Sequence, residues 1–300
     1  MKPIVALVYD FDGTLSPLNM QEFGFIQSLG ISVNDFWTKA NRMAIDEDAN
    51  SILCYMKYML DSAKKAGFSL TKELLRKNGE DVKLYEGVKE WFALINQYGE
   101  SKGVQIEHYI NSSGLKEMID GTPIANEFKG IYACSYIYNE AGEAVWPAVA
   151  VDFSTKTQFL FKINKGIRSV SDNVEVNRYT NEEERPIPFK RMIYFGDGET
   201  DIPCMKLVKN QGGYSIAVYR PDSSKLRAAK KLISDGRVNF VCEADYQKDG
   251  EIFEIVKTII DKMKSDIDGL ESDKNFTEDR FRERMKENYL YEQSDVLEVL

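Results

Sequence analysis

Short apolar runs that stop at polar clusters recur along the chain and predict buried β-strands. Between several of these runs, as at residues 88–98 and 223–233, apolar side chains recur at the spacing of a helix face. Strands that alternate with helices are typical of a parallel sheet covered on both faces. The pattern therefore predicts an α/β fold with a doubly wound parallel sheet. Its strands are predicted at residues 4–9, 105–110, 192–195, 214–218 and 238–242.

A long segment of helical character, residues 17–84, separates the first predicted strand from the second. Apolar residues such as Ile52, Tyr55, Met56 and Met59 recur there on one helix face. The segment begins just after the carboxyl end of a strand, and open α/β sheets bind ligands at such ends. We therefore expect a helical insertion that covers a ligand site.

A second interruption predicts a small β-hairpin, because residues 131–138 and 144–151 flank a turn that contains Gly142. At the other end of the chain, residues 270–300 carry nine acidic and five basic side chains, which indicates a solvated helical appendage. We predict three parts: an α/β core of residues 1–16 and 85–250, a helical insertion of residues 17–84, and a C-terminal helical extension of residues 251–300.

Composition indicates a globular protein and narrows its partners. Hydrophobic residues make up 43% of the chain and charged residues 29%. The net charge of −9 repels polyanions, so nucleic acid is not expected as a main partner. No apolar run approaches the roughly 20 residues that span a bilayer, so no membrane partner is expected either. The cysteines form no C-x-x-C pair, which predicts buried free thiols in a cytoplasmic protein.

The candidate chemistry rests on carboxylates, because His108 is the only histidine and lies in a predicted buried strand, where a packed structural role is expected. Three polar clusters lie at the carboxyl ends of predicted strands, which meet at one edge of a parallel sheet. Aspartates crowded there repel one another unless a cation neutralises them, and oxygen-only ligands favour Mg²⁺. The sequence therefore predicts a Mg²⁺ site suited to a phosphoryl group. The clusters are Asp10-Phe11-Asp12-Gly13-Thr14, Ile110-Asn111-Ser112-Ser113-Gly114 and Tyr194-Phe195-Gly196-Asp197-Gly198-Glu199-Thr200-Asp201.

In order and content these clusters resemble the motifs of the haloacid dehalogenase-like (HAD) superfamily of phosphatases. The family's motifs are D-x-D-G-T-L, a hydrophobic strand ending in Ser or Thr, a lysine, and a Gly-Asp pair with a second Asp four residues later. The resemblance implies a Rossmann-like core. It also implies that residues 17–84 form a helical C1 cap, because residues 84–88 are similar to the re-entry segment of phosphoserine-phosphatase-like members.

The resemblance also implies roles for individual residues. Asp10 would be the nucleophile that forms an aspartyl-phosphate, and Asp12 would be the general acid and base, with its backbone carbonyl on Mg²⁺. Asp10 and Asp197 would bind the metal through their side chains, and Asp201 would orient the metal's other ligands. Ser112 would hold a phosphate oxygen, although a helix N-cap would also explain a serine at this position.

Some residues in the resemblance have more than one interpretation. Lys156, Lys162 and Lys165 are all candidates for the lysine that stabilises the nucleophile, and Lys156 is favoured because it begins a helical stretch. Within the insertion, Glu22 and Arg42 are candidates for selecting a charged substrate, although exposed surface positions would explain both.

The resemblance implies a Mg²⁺-dependent phosphohydrolase that acts on a small phosphorylated metabolite. Two alternatives stay open at this point. A phosphotransferase or phosphomutase would use the same aspartyl-phosphate and differ only in the acceptor. A catalytically silent binding protein would be free to lose one of the catalytic residues, and this chain retains all of them.

Overall fold

The computed structural model describes residues 2–220 and 223–269. Within them, seven strands form one sheet in the order β4-β3-β2-β1-β5-β6-β7, with every neighbouring pair parallel except β3 and β4. The predicted α/β fold with a doubly wound sheet is confirmed. The strands are β1 (Ile4–Tyr9), β2 (Gln105–Leu115), β3 (Phe128–Tyr138), β4 (Ala144–Val149), β5 (Met192–Gly196), β6 (Tyr214–Tyr219) and β7 (Phe240–Glu243).

The described α-helices fall into two groups. The first four belong to the insertion, and the others, apart from the short α8, pack on the sheet or on one another. They are α1 (Phe25–Ser28), α2 (Val33–Asp46), α3 (Ser51–Lys65), α4 (Lys72–Glu80), α5 (Val88–Ser101), α6 (Lys116–Ile119), α7 (Thr155–Asn164), α8 (Asn173–Asn177), α9 (Ile202–Asn210), α10 (Ser223–Ser234) and α11 (Glu251–Ile267).

Strand β1 lies at the centre of the sheet, between β2 and β5. Its residues from Val5 to Tyr9 are fully buried, since helices cover both faces of a parallel sheet and leave no place for polar side chains along the strand. The register pairs Tyr9 with Ile110 of β2 and with Phe195 of β5. The chain segments that follow Tyr9 and Phe195 therefore leave the sheet close together, beside the last residues of β2, which stay paired with β3.

The insertion starts and ends at one point of the core, where the backbone N–H of Tyr85 donates to the carbonyl of Leu15. Its helices α2, α3 and α4 begin at side-chain caps. Asn50, for example, accepts hydrogen bonds from the backbone N–H groups of Ile52 and Leu53 at the start of α3. Helices α2 and α3 pack together, and α4 packs on α6 of the core. The packing of α2 on α3 supports residues 17–84 as a cap domain, which we retain as a proposal.

The predicted hairpin consists of β3 and β4, which are antiparallel. It is part of the main sheet, because β3 also pairs in parallel with β2. The sheet therefore runs continuously from the core strands into the hairpin, and β4 is its edge strand. Although β2 and β3 are consecutive strands, the local pattern of residues does not indicate that they pair in parallel.

Helix α11 packs its apolar face against the core, next to α5 and β7. Ile252, Val256, Ile259 and Met263 are all buried on this face. The rest of the predicted C-terminal extension, residues 270–300, lies outside the described residues. None of the described helices is long and apolar enough to cross a membrane. The predicted buried free thiols are confirmed at Cys54, Cys134, Cys204 and Cys242.

Candidate active site

The carboxyl ends of β1 and β5 bring three aspartates together. Asp10 directly follows β1, and Asp197 and Asp201 follow β5. One carboxylate oxygen from each of the three lies within 4.8 Å of the others. Two of the predicted clusters, which are separated by more than half the chain, thus form one acidic group at the edge of the sheet.

Gly13 allows the first cluster to approach the second. Its φ of +79° lies in the left-handed region, and a Cβ atom at this position would stand 2.1 Å from Oδ2 of Asp197. Both the backbone conformation and the contact therefore require glycine. The glycine after Asp12 is thus needed because of a carboxylate far along the chain.

Asp12 lies beside Asp10 and is held by the insertion. Its Oδ1 accepts a hydrogen bond of 2.9 Å from the backbone N–H of Met20. Burial raises the pKa of Asp12 well above its usual range, and the negative charge of Asp10 raises it further. A carboxyl group in this position can hold a proton at neutral pH and donate it.

Lys156 extends from the first turn of α7 into the acidic group and is fully buried. Its Nζ lies 3.1 Å from Oδ1 of Asp10 and 2.7 Å from Oδ1 of Asp201. Burial alone lowers the pKa of Lys156, but the two carboxylates outweigh it and the pKa is raised. Lys156 is therefore a fixed positive charge at the nucleophile candidate.

The other two lysine candidates face away from the acidic group. Lys162 donates to the carbonyls of Ser169 and Asp172, at 3.0 and 2.7 Å. Lys165 donates to the carbonyls of Val176 and Arg178. Both stabilise the loop that follows α7, so only Lys156 is placed to act at Asp10.

Tyr194, a residue of β5, contacts Asp201, and no role in the site was predicted for it from the sequence. Its hydroxyl donates to Oδ1 of Asp201 at 2.7 Å, and both residues are buried. In the sequence Tyr194 looks like an ordinary core residue. The available signal was that a hydroxyl buried on a central strand needs a hydrogen-bond partner.

Ser112 is buried within β2, near the same edge of the sheet, and its Oγ accepts a hydrogen bond of 3.0 Å from the backbone N–H of Gly114. The alternative role as a helix N-cap is wrong, because α6 begins at Lys116 and its N-cap position is Leu115. The neighbouring Ser113 lines the crevice beside the aspartates, and its buried Oγ has no hydrogen-bond partner among the described residues.

A crevice of about 560 Å³ lies between this edge of the sheet and the insertion. The insertion contributes Glu22, Trp37 and Tyr55 to its wall. Oε1 of Glu22 accepts hydrogen bonds from Asn19 and from the indole N–H of Trp37. Arg42 does not line the crevice; its side chain is 73% exposed and pairs with Asp46. Of the two candidates for selecting a charged substrate, only Glu22 reaches the crevice.

The sequence model of the haloacid dehalogenase-like hydrolases matches residues 7–206, two thirds of the chain. The chain belongs to this family. The matched span includes Asp10, Asp12, Ser112, Lys156 and both aspartates after β5.

Individual relatives of this haloacid dehalogenase-like hydrolase are more distant. An uncharacterized protein of Borreliella burgdorferi is 28% identical over 277 residues, which cover 83% of this chain and 94% of that protein. The apo form of a phosphoserine phosphatase superposes with a TM-score of 0.52 at 16% identity, covering 84% of this chain and 98% of that one. A probable phosphoserine phosphatase from Vibrio cholerae gives 0.54 at 14% identity, covering 88% and 65%. These similarities support the fold.

The acidic group of this hydrolase fits a divalent cation. Burial, followed by the negative charge of Asp201, raises the pKa of Asp10 from 3.8 to about 7, even though Lys156 lowers it. One lysine thus does not neutralise the carboxylates that converge on it. The three carboxylates offer oxygen atoms as ligands and carry negative charge that Lys156 does not compensate, a combination suited to Mg²⁺.

His108 has the structural role that the sequence predicts. Its Nε2 lies 3.0 Å from Oδ1 of Asn96, and its Nδ1 lies 3.0 Å from the hydroxyl of Tyr9, which also accepts from the indole N–H of Trp91. Burial lowers the pKa of His108 to about 3. The imidazole is therefore neutral at physiological pH and belongs to the packing beneath β1.

We expect Mg²⁺ to raise the melting temperature more at pH 8 than at pH 6. The folded, metal-free protein retains a proton on Asp10 that the unfolded chain has lost, so stability falls as pH rises from 3.8 towards 7. A cation binds the ionised carboxylate, so at pH 6 it must first displace this proton. Thermal unfolding is measured with Mg²⁺ and with EDTA at each pH, and the difference in melting temperature between the two is the increment. Because both measurements at one pH contain the same other titrations, such as that of His108, the difference removes them. Equal increments would contradict the prediction.

Proposed function

We propose that this protein is a Mg²⁺-dependent phosphohydrolase that cleaves a small phosphomonoester, with Asp10 as the covalent nucleophile. The observation that supports it best is the placement of Asp10 at a strand end in a crevice. There it lies 3.1 Å from the buried Lys156 and within 4.8 Å of the carboxylates of Asp197 and Asp201. Asp10, Asp197 and Asp201, with the backbone carbonyl of Asp12, would hold the metal.

In the first step of the proposed reaction, a carboxylate oxygen of Asp10 attacks phosphorus and the bond from phosphorus to the leaving oxygen breaks. The carboxyl group of Asp12 gives its proton to that oxygen, so the product leaves as a neutral alcohol. Bound Mg²⁺ would supply positive charge that offsets the repulsion between Asp10 and the anionic ester. Lys156 adds a second positive charge, and Ser112 would hold a phosphate oxygen.

In the second step, the carboxylate of Asp12 takes a proton from a water molecule, and the oxygen of that water molecule attacks phosphorus. The bond from phosphorus to the oxygen of Asp10 breaks, which releases inorganic phosphate and restores both carboxyl groups. Two displacements replace one difficult reaction. The hydrogen bond from Met20 and the raised pKa of Asp12 support its role, since the acid must be held close and protonated at neutral pH.

The crevice also supports a limit on the substrate. Its volume of about 560 Å³ suits a small molecule, and the insertion forms one of its walls. Arg42 lies outside it, whereas Arg220, which follows β6, lines the crevice from the side of the core. The buried free thiols support a reducing, cytoplasmic location as a further part of the proposal.

Phosphate release from a panel of phosphorylated metabolites, and from a generic aryl phosphate, tests this function. We expect phosphate release in the presence of Mg²⁺, its loss on addition of EDTA, and its recovery when Mg²⁺ is restored in excess. Undiminished hydrolysis in EDTA would contradict metal dependence, and the absence of phosphate release from every ester would contradict the function.

A further inference from the structure

Helix α3 of the insertion makes two hydrogen bonds to core segments that carry candidate catalytic residues. One comes from Tyr55 to the segment of Ser112, and the other comes from Asn50 to the segment of Lys156. We infer that Asn50 and Tyr55 are positioning residues, through which the insertion holds Ser112 and Lys156 in place for the reaction. This inference rests on the proposed phosphohydrolase function.

Tyr55 acts on a stretch of β2 where the regular sheet is interrupted. Its hydroxyl donates to the carbonyl of Ser113 at 2.7 Å, and its side chain is buried. In the pairing of β2 with β3 the register shifts between Ser112 and Leu115, so Ser113 has no paired residue on β3. A side chain of the insertion therefore helps to fix the backbone next to Ser112, where the regular backbone pairing with β3 is interrupted. The thiol of Cys134 on β3 also donates to this carbonyl, at 3.3 Å.

Asn50 acts on the start of α7, the helix that carries Lys156. Its Nδ2 donates to Oδ2 of Asp152 at 2.7 Å. The other oxygen of Asp152 accepts from the backbone N–H groups of Ser154 and Thr155, and its carbonyl accepts from the N–H of Lys156. Asn50 thus holds the residue that organises the first turn of α7.

The two contacts have different surroundings, which makes them separable. Tyr55 lines the crevice and could touch a substrate, whereas Asn50 does not line it. An effect of Asn50 on the reaction must therefore act through Asp152 and α7 or through the cap of α3, and a variant that keeps the cap isolates the first route. Small displacements of groups that contact a reacting phosphate reduce rates strongly, because the reaction depends on their placement.

Three variants test the inference. Tyr55→Phe removes only the hydroxyl. Asn50→Ser keeps an oxygen that can cap α3 but is too short to reach Asp152. Tyr58→Phe is the control, because Tyr58 lies on the same helix and its hydroxyl makes no hydrogen bond within the described residues. With an aryl phosphate and Mg²⁺, we expect kcat/KM to fall roughly tenfold for the first two variants and to stay within about twofold of the wild type for the control.

The Ki of inorganic phosphate as a competitive inhibitor distinguishes positioning from a purely structural role. Displacement of Ser112 or Lys156 weakens phosphate binding, so we expect this constant to rise several-fold in Tyr55→Phe and Asn50→Ser. Loss of folded protein alone would lower kcat in proportion to the active fraction and leave KM and the inhibition constant unchanged. That second result would overturn the inference.

A charge exchange gives a sharper version of the test. Asn50→Asp places a second carboxylate beside that of Asp152, and the two repel each other. This variant should therefore reduce kcat/KM more than Asn50→Ser. Adding Asp152→Asn restores a hydrogen bond with donor and acceptor exchanged, and should recover most of the loss. Failure of the second change to rescue the first would overturn the role of Asn50.

If the wild-type protein hydrolyses no phosphate ester, the proposed function fails first. A wild-type rate retained by every variant defeats only the positioning role.

Discussion

Replacing Asp10 with asparagine should abolish turnover and leave the fold intact. The amide has the shape of the carboxyl group but cannot form the covalent intermediate, so we expect a loss of about 10⁴-fold or more in kcat. Stability should not fall, because the substitution removes one carboxylate from a group in which burial and Asp201 already oppose its ionisation. Phosphate release and thermal unfolding of Asp10→Asn, both measured at pH 8, check the two parts.

Asp46→Asn is a matched control for this experiment. Asp46 is an exposed partner of Arg42 and lies outside the crevice, so its replacement should change neither turnover nor stability by much. If Asp10→Asn retained more than a few per cent of wild-type activity after contaminating phosphatases were excluded, Asp10 would not be the nucleophile. A large fall in melting temperature without added metal would contradict the electrostatic description of the site.

The centre of the fold and the acidic group were predictable from the sequence for one physical reason. Parallel strands buried on both faces read as continuous apolar runs, so the polar residues that stop each run mark the strand ends. Asp10 and Asp197 follow two such runs, and β1 and β5 are neighbours in the sheet. The convergence of their carboxylates followed from the topology alone.

The choice among the lysines needed the structure. Lys156 and Lys162 are six residues apart, which places them about 120° apart around the axis of α7. Only one can therefore face Asp10. The helical pattern does not say which one, because both are buried and charged. The answer depends on how α7 lies against β1 and β5, and on the loop carbonyls that accept from Lys162.

The contacts of Tyr194, Tyr55 and Asn50 could not be predicted either. Each is a single hydrogen bond between a common polar residue and a partner chosen by tertiary packing. Asn50, for example, meets a residue 102 positions later in the chain. A cap signal explained Asn50 locally, and a core position explained Tyr194. Only the assembled fold reveals that Tyr194 bonds to Asp201, and that Tyr55 and Asn50 bond to segments next to Ser112 and Lys156.

Replacing Lys156 with methionine should remove activity and destabilise the metal-free protein. Asp10 and Asp201 would lose their shared buried cation, and removing one partner of a buried ion pair costs about 3–5 kcal/mol. The loss should grow as pH rises, because ionisation of Asp10 then goes uncompensated, and Mg²⁺ should restore part of the stability. Urea unfolding at pH 6 and 8, with and without Mg²⁺, measures both dependences.

Lys162→Met provides the comparison that makes this prediction specific. Lys162 lies on the same helix, and its contacts are two backbone carbonyls of the following loop rather than a carboxylate. Its replacement should cost about 1–3 kcal/mol through the unpaired carbonyls. That cost should be the same at both pH values and insensitive to Mg²⁺, and kcat should stay near that of the wild type. If Lys162→Met abolished turnover while Lys156→Met retained it, the assignment of the lysine would be reversed. Equal loss in both would show that activity depends on the stability of α7 and not on a charge at Asp10.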